Sequence, residues 1–132
     1  MPAPQDFTIN DGKGTPVAHV FSPATVAGGF LNLLDRASAA IVAGFMRLKL
    51  GNTLSEGPKK PHLCKLVITM PTVVAVDGQD TVVRTSTGGV TFTFHEGSTL
   101  AERTDVYMLV ANGLANATIK DAIVNVKPYY GS

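Results

Sequence analysis

Three cations stand out for the chemistry their spacing allows: Arg47, Lys49 and Lys65. Arg47 and Lys49 are two apart within Met46-Arg47-Leu48-Lys49-Leu50, a clean alternation of apolar and basic residues. A period of two is the strand period, so both cations share one face while Met46, Leu48 and Leu50 share the other. In Leu63 to Met70 the same logic places Cys64, Leu66, Ile68 and Met70 on one face. Lys65, Val67 and Thr69 lie on the other. Cations on a flat, wet sheet face suit phosphate contact, through charge neutralisation and counterion release. The competing reading is an ordinary solvated face of an antiparallel sheet. No tyrosine or tryptophan alternates with these cations, so the usual aromatic platform for single-stranded bases is weak.

Other constellations carry less. His62 and Cys64 are two apart and share a strand face, the arrangement of a Cys–His nucleophile pair. Cys64 falls on the apolar register, however, where a small buried cysteine is the simpler reading. His95-Glu96 with Asp105 resembles an acid–base group, yet it falls at a strand end and a helix start, where polar residues are expected anyway. Gly12-Lys13-Gly14 has the look of a phosphate loop, but no helix follows, so it reads as a hairpin turn. No Gly-x-Ser-x-Gly elbow, His-Glu-x-x-His helix or Walker-type loop occurs. No catalytic residue, metal ligand, cofactor or small-molecule substrate is therefore expected.

These residues need elements to hold them. The chain has 132 residues, enough for one domain, and is 45% hydrophobic and 16% charged, a globular composition. The net charge is only +1. Its distribution is uneven: residues 41–70 hold five bases and one acid, Glu56, against six bases and nine acids elsewhere. A neutral chain with one basic sector can bind phosphate locally. Lys59 and Lys60 belong to that sector and also read as plain loop solvation. The single cysteine rules out an intramolecular disulfide and a cysteine zinc cluster. No apolar run approaches the roughly 18 residues of a membrane span. The start, Met1-Pro2-Ala3-Pro4, lacks the features of a signal peptide, so a soluble, cytosol-made protein is expected.

Along the chain, Phe7-Thr8-Ile9 and Thr15 to Phe21 flank the turn residues Asn10 to Gly14 and read as an N-terminal β-hairpin. Ser22-Pro23 is expected to break its second strand. Phe30 to Leu34 reads as a strand after Gly28-Gly29, although Leu33, Leu34 and Ala37 also fit a helical face. Gly51 to Pro61 reads as a polar turn. Pro71 is expected to stop the strand that begins at Leu63, and residues 74–81 to form a loop. Val82 to Thr85 reads as a short strand, and Val90, Phe92 and Phe94 as the core side of the next. Thr99-Leu100-Ala101-Glu102 fits a capping box. Val106, Leu109, Val110 and Leu114 follow helical spacing, with an end near Gly113 or Asn116. Ile119, Ala122, Ile123 and Val126 mark a second helix, ended by Pro128. Strands first and helices last is an α+β pattern. Two short helices cover a five-stranded sheet poorly in one chain. Each chain's helices lying across its partner's sheet would solve this, which predicts an obligate homodimer.

Three stretches give the chain a family likeness. They are Phe7 to Gly14 with Val17 to Gly29; Val90 to Phe94 with Ser98 to Arg103; and Ile119 to Ile123 with Pro128-Tyr129-Tyr130. In order, spacing and ending they resemble the coat proteins of the small single-stranded RNA bacteriophages, the leviviruses. The resemblance implies an N-terminal β-hairpin, a five-stranded antiparallel sheet and two C-terminal helices. It also implies an interlocked dimer with a continuous ten-stranded sheet and helices that clasp the partner. Such dimers would build an icosahedral capsid in the virion, made in the bacterial host cytoplasm. The inner sheet face would bind a genomic RNA stem-loop, in packaging and translational repression. Carried over by position, the RNA face comprises Phe45, Arg47, Lys49, Lys65, Val67, Thr69, Thr87, Gly89 and Thr91. Thr87 stands where family members often have a stacking tyrosine, and Val67 where a base is expected. The loop at 74–81 would surround the symmetry axes and has no cysteine for cross-linking. A cellular dimeric RNA-binding module and a small α+β enzyme using His62 or His95 are the alternatives.

Overall fold

The computed structural model describes residues 5–27, 30–53 and 61–127. Six strands follow one another as an antiparallel meander: β1 (Phe7–Asn10), β2 (Ala18–Ala27), β3 (Phe30–Asp35), β4 (Met46–Thr53), β5 (His62–Val76) and β6 (Gln79–Phe94). Helices α1 (Leu100–Ala115) and α2 (Ala117–Val124) complete the chain. This is the expected α+β order, with one revision. The hairpin is not separate from a five-stranded sheet, because β2 pairs with β1 at one end and with β3 at the other.

Proline explains where the expected breaks fail. Ser22-Pro23 does not end β2. Pro23 still lies opposite Leu33, and the register against β3 slips just after it, leaving Ala24 without a partner, so a bulge beside the proline lets the strand continue. Pro71 does not end β5 either. The last β4 pair is Arg47 with Thr69, so among the described residues Pro71 lies where β5 has a neighbouring strand on one side only. A missing donor costs least at such an edge. Residues 74–81 accordingly form the end of a long hairpin and not a loop. Only Asp77 and Gly78 turn, both at positive φ (51° and 80°), as an Asp-Gly type I′ turn requires. Val82 to Thr85 is part of the single strand β6.

The core is small and lies under β2–β4. Phe21, Leu33 and Leu48 are buried, and Phe7, Leu31, Met46, Leu66 and Ile68 pack against them. Beside it, His19 on β2 joins two carboxylates. Its Nδ1 is 2.8 Å from Asp35 at the end of β3, and its Nε2 is 2.9 Å from Asp11 in the hairpin turn. Both ring nitrogens face carboxylate oxygens, and only the imidazolium can donate to both. The two carboxylates, Asp11 foremost, raise the His19 pKa. Asp11 is held well below the usual carboxylate range, first by the Val17 N–H and then by His19.

Helix α1 starts and ends as the sequence suggests, whereas α2 stops at Val124, short of the expected Val126, which lies at positive φ (53°) and cannot continue a right-handed helix. The Thr99 hydroxyl accepts the Glu102 N–H (3.2 Å), the threonine half of the capping box. Asn116 closes α1 and caps α2, its side chain accepting the N–H groups of Thr118 and Ile119. Pro128 lies outside the described residues, and so do Lys59 and Lys60.

Candidate nucleic-acid interface

Strand register sorts the candidate residues into rows. On the face opposite the core, Leu34, Arg47, Thr69 and Thr87 lie side by side across β3–β6. The next row is Asn32, Lys49, Val67 and Gly89, and the third is Phe30, Gly51, Lys65 and Thr91. Strands lie about 4.8 Å apart and alternate residues rise about 7 Å, so the grid is on the order of 14 Å on a side. Eight of the nine candidate residues fall within it. Phe45 does not: it sits one residue before β4, half-buried, its N–H closing the 3-10 turn Val42–Gly44 on the Val42 carbonyl.

Arg47, Lys49 and Lys65 are exposed, as are Thr87, Gly89 and Thr91, while Val67 and Thr69 are half-buried. Among the described residues no carboxylate forms an ion pair with any of the three cations. Their charge is therefore available to an anion from outside. Threonine hydroxyls beside them add donors and acceptors suited to phosphate and ribose oxygens.

The sequence pattern does not reveal Phe30. Its ring lies over Gly51 on the neighbouring strand, and a Cβ at Gly51 would fall 2.1–2.2 Å from two ring carbons. The Lys49 ammonium stands 4.4 Å from the ring centroid. Phe30-Leu31-Asn32-Leu33-Leu34 is apolar at both parities, so alternation could not say which way Phe30 points. The β3–β4 register decides it. A glycine opposite an aromatic is the available signal, but only once the strands are aligned.

The catalytic alternatives come apart. His62 and Cys64 do share a face, but it is the apolar one. They line a groove of about 720 Å³ with Leu50, Leu66, Phe92 and Tyr107, and the Cys64 thiol donates to Asn52 Oδ1 (3.4 Å). His95 Nδ1 accepts the Gly97 N–H (2.9 Å), a contact that shapes the turn before α1.

A family model described as levivirus coat protein matches residues 2–130. No curated protein matches the sequence. Solved structures share the fold. The virus-like particle of bacteriophage ESE058 is 24% identical, with a TM-score of 0.88 over 98% of this chain and 100% of that one. The virus-like particle of Beihai levi-like virus 21 is 23% identical, with a TM-score of 0.86 over 98% and 100%. The bacteriophage GA capsid protein is 16% identical, with a TM-score of 0.75 over 96% and 98%.

Proposed function

The chain belongs to the levivirus coat protein family, a family of structural capsid subunits and not of enzymes, and from that premise we propose that it assembles as dimers and holds genomic RNA on its basic grid. Capsid formation and a place in the virion follow from the family. Synthesis in the host cytoplasm, an icosahedral shell and a single coat domain spanning residues 1–132 belong to the proposal.

The dimer is supported by what the chain leaves uncovered. No residue of α1 or α2 is buried, and Leu109 and Val124 are 73% and 66% exposed. The outer edge of β6 has no strand partner among the described residues. A 16-residue open edge beside an apolar groove is a surface that proteins normally cover. A second copy, adding its edge to β6 and its helices to the groove, covers all of it at once.

The observation that carries RNA binding is the triad Arg47, Lys49 and Lys65, gathered in one grid with no carboxylate partner among the described residues. The RNA face is Arg47, Lys49, Lys65, Val67, Thr69, Thr87, Gly89 and Thr91, with Phe45 at its border. A stem-loop of the genome is the ligand, in packaging and translational repression. Particles made in bacteria should contain RNA, read by electron microscopy with absorbance at 260 nm. Arg47→Ala with Lys49→Ala should weaken RNA binding while particles still form. Each phosphate that is no longer neutralised lowers the slope of log affinity against log salt by about 0.7–0.9. An unchanged affinity and slope across a salt series would remove the grid from the RNA interface.

A further inference from the structure

We propose that Phe30, laid on Gly51 beside Lys49, is a base-stacking platform: it takes the flat side of one unpaired RNA base, and Lys49 holds that nucleotide's phosphate. The proposal rests on the RNA reading of this face and deepens it, since it adds a base contact to a set of phosphate contacts.

Three observations combine. Phe30 points away from the core, onto the face that bears the cations, so burial in the core does not explain it. Its ring is fixed by a glycine that nothing else could replace without moving the ring. Glycine in a strand weakens it and often marks a close approach of another group. Here that group is the phenyl ring, which thus lies low against the sheet, with Lys49 beside it and Lys65 directly across from Gly51. Finally, the ring already holds a cation on its π-surface, 4.4 Å away. An exposed cation–π contact is weak. A base offers a broad π-face, which an ammonium group lacks, and brings a phosphate that the displaced ammonium can pair with. Stacking of this kind tolerates any base, because every base has a π-face.

The test uses the full-length protein and a short oligoadenylate carrying 2-aminopurine, whose fluorescence is quenched on stacking. The wild type should quench it. Phe30→Leu should abolish the quenching and weaken binding about tenfold. Its salt slope should stay unchanged, because no charge is lost. Phe30→Trp should bind as the wild type does. Gly51→Ala keeps the phenyl group but displaces it, and should reproduce the loss seen with Phe30→Leu.

Wild-type binding by Phe30→Leu, alongside weakened binding by Arg47→Ala with Lys49→Ala, would overturn the platform and leave the RNA face standing. Absence of salt-dependent binding in the wild type would overturn both. If Phe30→Leu and Gly51→Ala fail to form particles, ultraviolet cross-linking of RNA inside wild-type particles decides. A nucleotide adduct on Phe30 supports the platform, and adducts confined to other grid residues overturn it.

Discussion

Between β1 and β4 the chain closes on itself, and from β5 onward it stays open. Every buried side chain among the described residues, Phe21, Leu33, Asp35 and Leu48, belongs to β2–β4, and no described residue after Gly51 is buried. The later half is no less apolar: Leu63, Met70, Val74, Leu109 and Ile123 are all exposed large hydrophobics. The two halves also treat polarity differently. Asp11, His19 and Asp35 satisfy one another in the first, whereas Arg47 and Lys49 on β4 and Lys65 on β5, where the two halves meet, face outward with no carboxylate partner among the described residues. Strands β4 and β5 belong to both schemes, with one face toward the core and the other bearing cations. The first half thus supplies stability within the chain, and the second presents surface whose partners lie in other molecules.

Removing residues 117–132 is the most severe way to break this contrast. The helix removed is exposed in the chain, yet dimers and particles should disappear altogether by size-exclusion chromatography and electron microscopy. Particles of normal size from that variant would show that α2 completes nothing.

Leu33→Ala sharpens the contrast from the other side. Leu33 is fully buried, so a cavity there should cost about 2–5 kcal/mol in chemical denaturation at fixed protein concentration. Leu109→Ala removes a similar side chain from an exposed site. It should barely alter the stability of the unassembled chain and should impair assembly. Equal denaturation shifts for the two would erase the distinction.

The next effect in size is a pH dependence confined to the closed half. His19 has a raised pKa when folded, so its contribution is complete below its ordinary value and is lost as pH rises through the raised one. Asp11 has a lowered pKa, so its contribution is complete above its ordinary value and is lost as pH falls through the lowered one. The hairpin should be tightest between those ordinary values, 3.8 and 6.5. Hydrogen exchange of β1, corrected for intrinsic rates, should slow in that window, and His19→Ala should lose the acceleration on the alkaline side. A flat profile in the wild type would exclude the Asp11–His19–Asp35 bridge.

Smallest is the helix cap. Thr99→Ala should cost about 1 kcal/mol, read as a modest fall in thermal stability. A loss several times larger would mean that the start of α1 carries packing as well as a cap.

Much of the fold is legible in the residues. The alternation of β4, the first part of β5 and the end of β6 identifies the faces correctly, because side-chain direction in a strand follows parity alone. The caps at Thr99 and Asn116 are legible because they act within a few residues. The reach of β5 past Pro71 is not, since a proline's cost depends on whether a neighbouring strand awaits its N–H. Asp77-Gly78 carries its own turn signal, but a strand expected to stop at Pro71 hides the hairpin that the turn closes.

From its sequence alone the chain determines its strand and helix periods, the split of β4 and β5 into an apolar and a basic face, and its family. Each depends on spacing along the chain, and the physics behind spacing is local. Tertiary structure alone decided that the hairpin joins the main sheet and that His19 sits between Asp11 and Asp35. It also laid Phe30 on Gly51 beside Lys49. Each of these is a meeting of residues on different strands, and cross-strand register is set by the packing of the whole sheet, which no local spacing encodes.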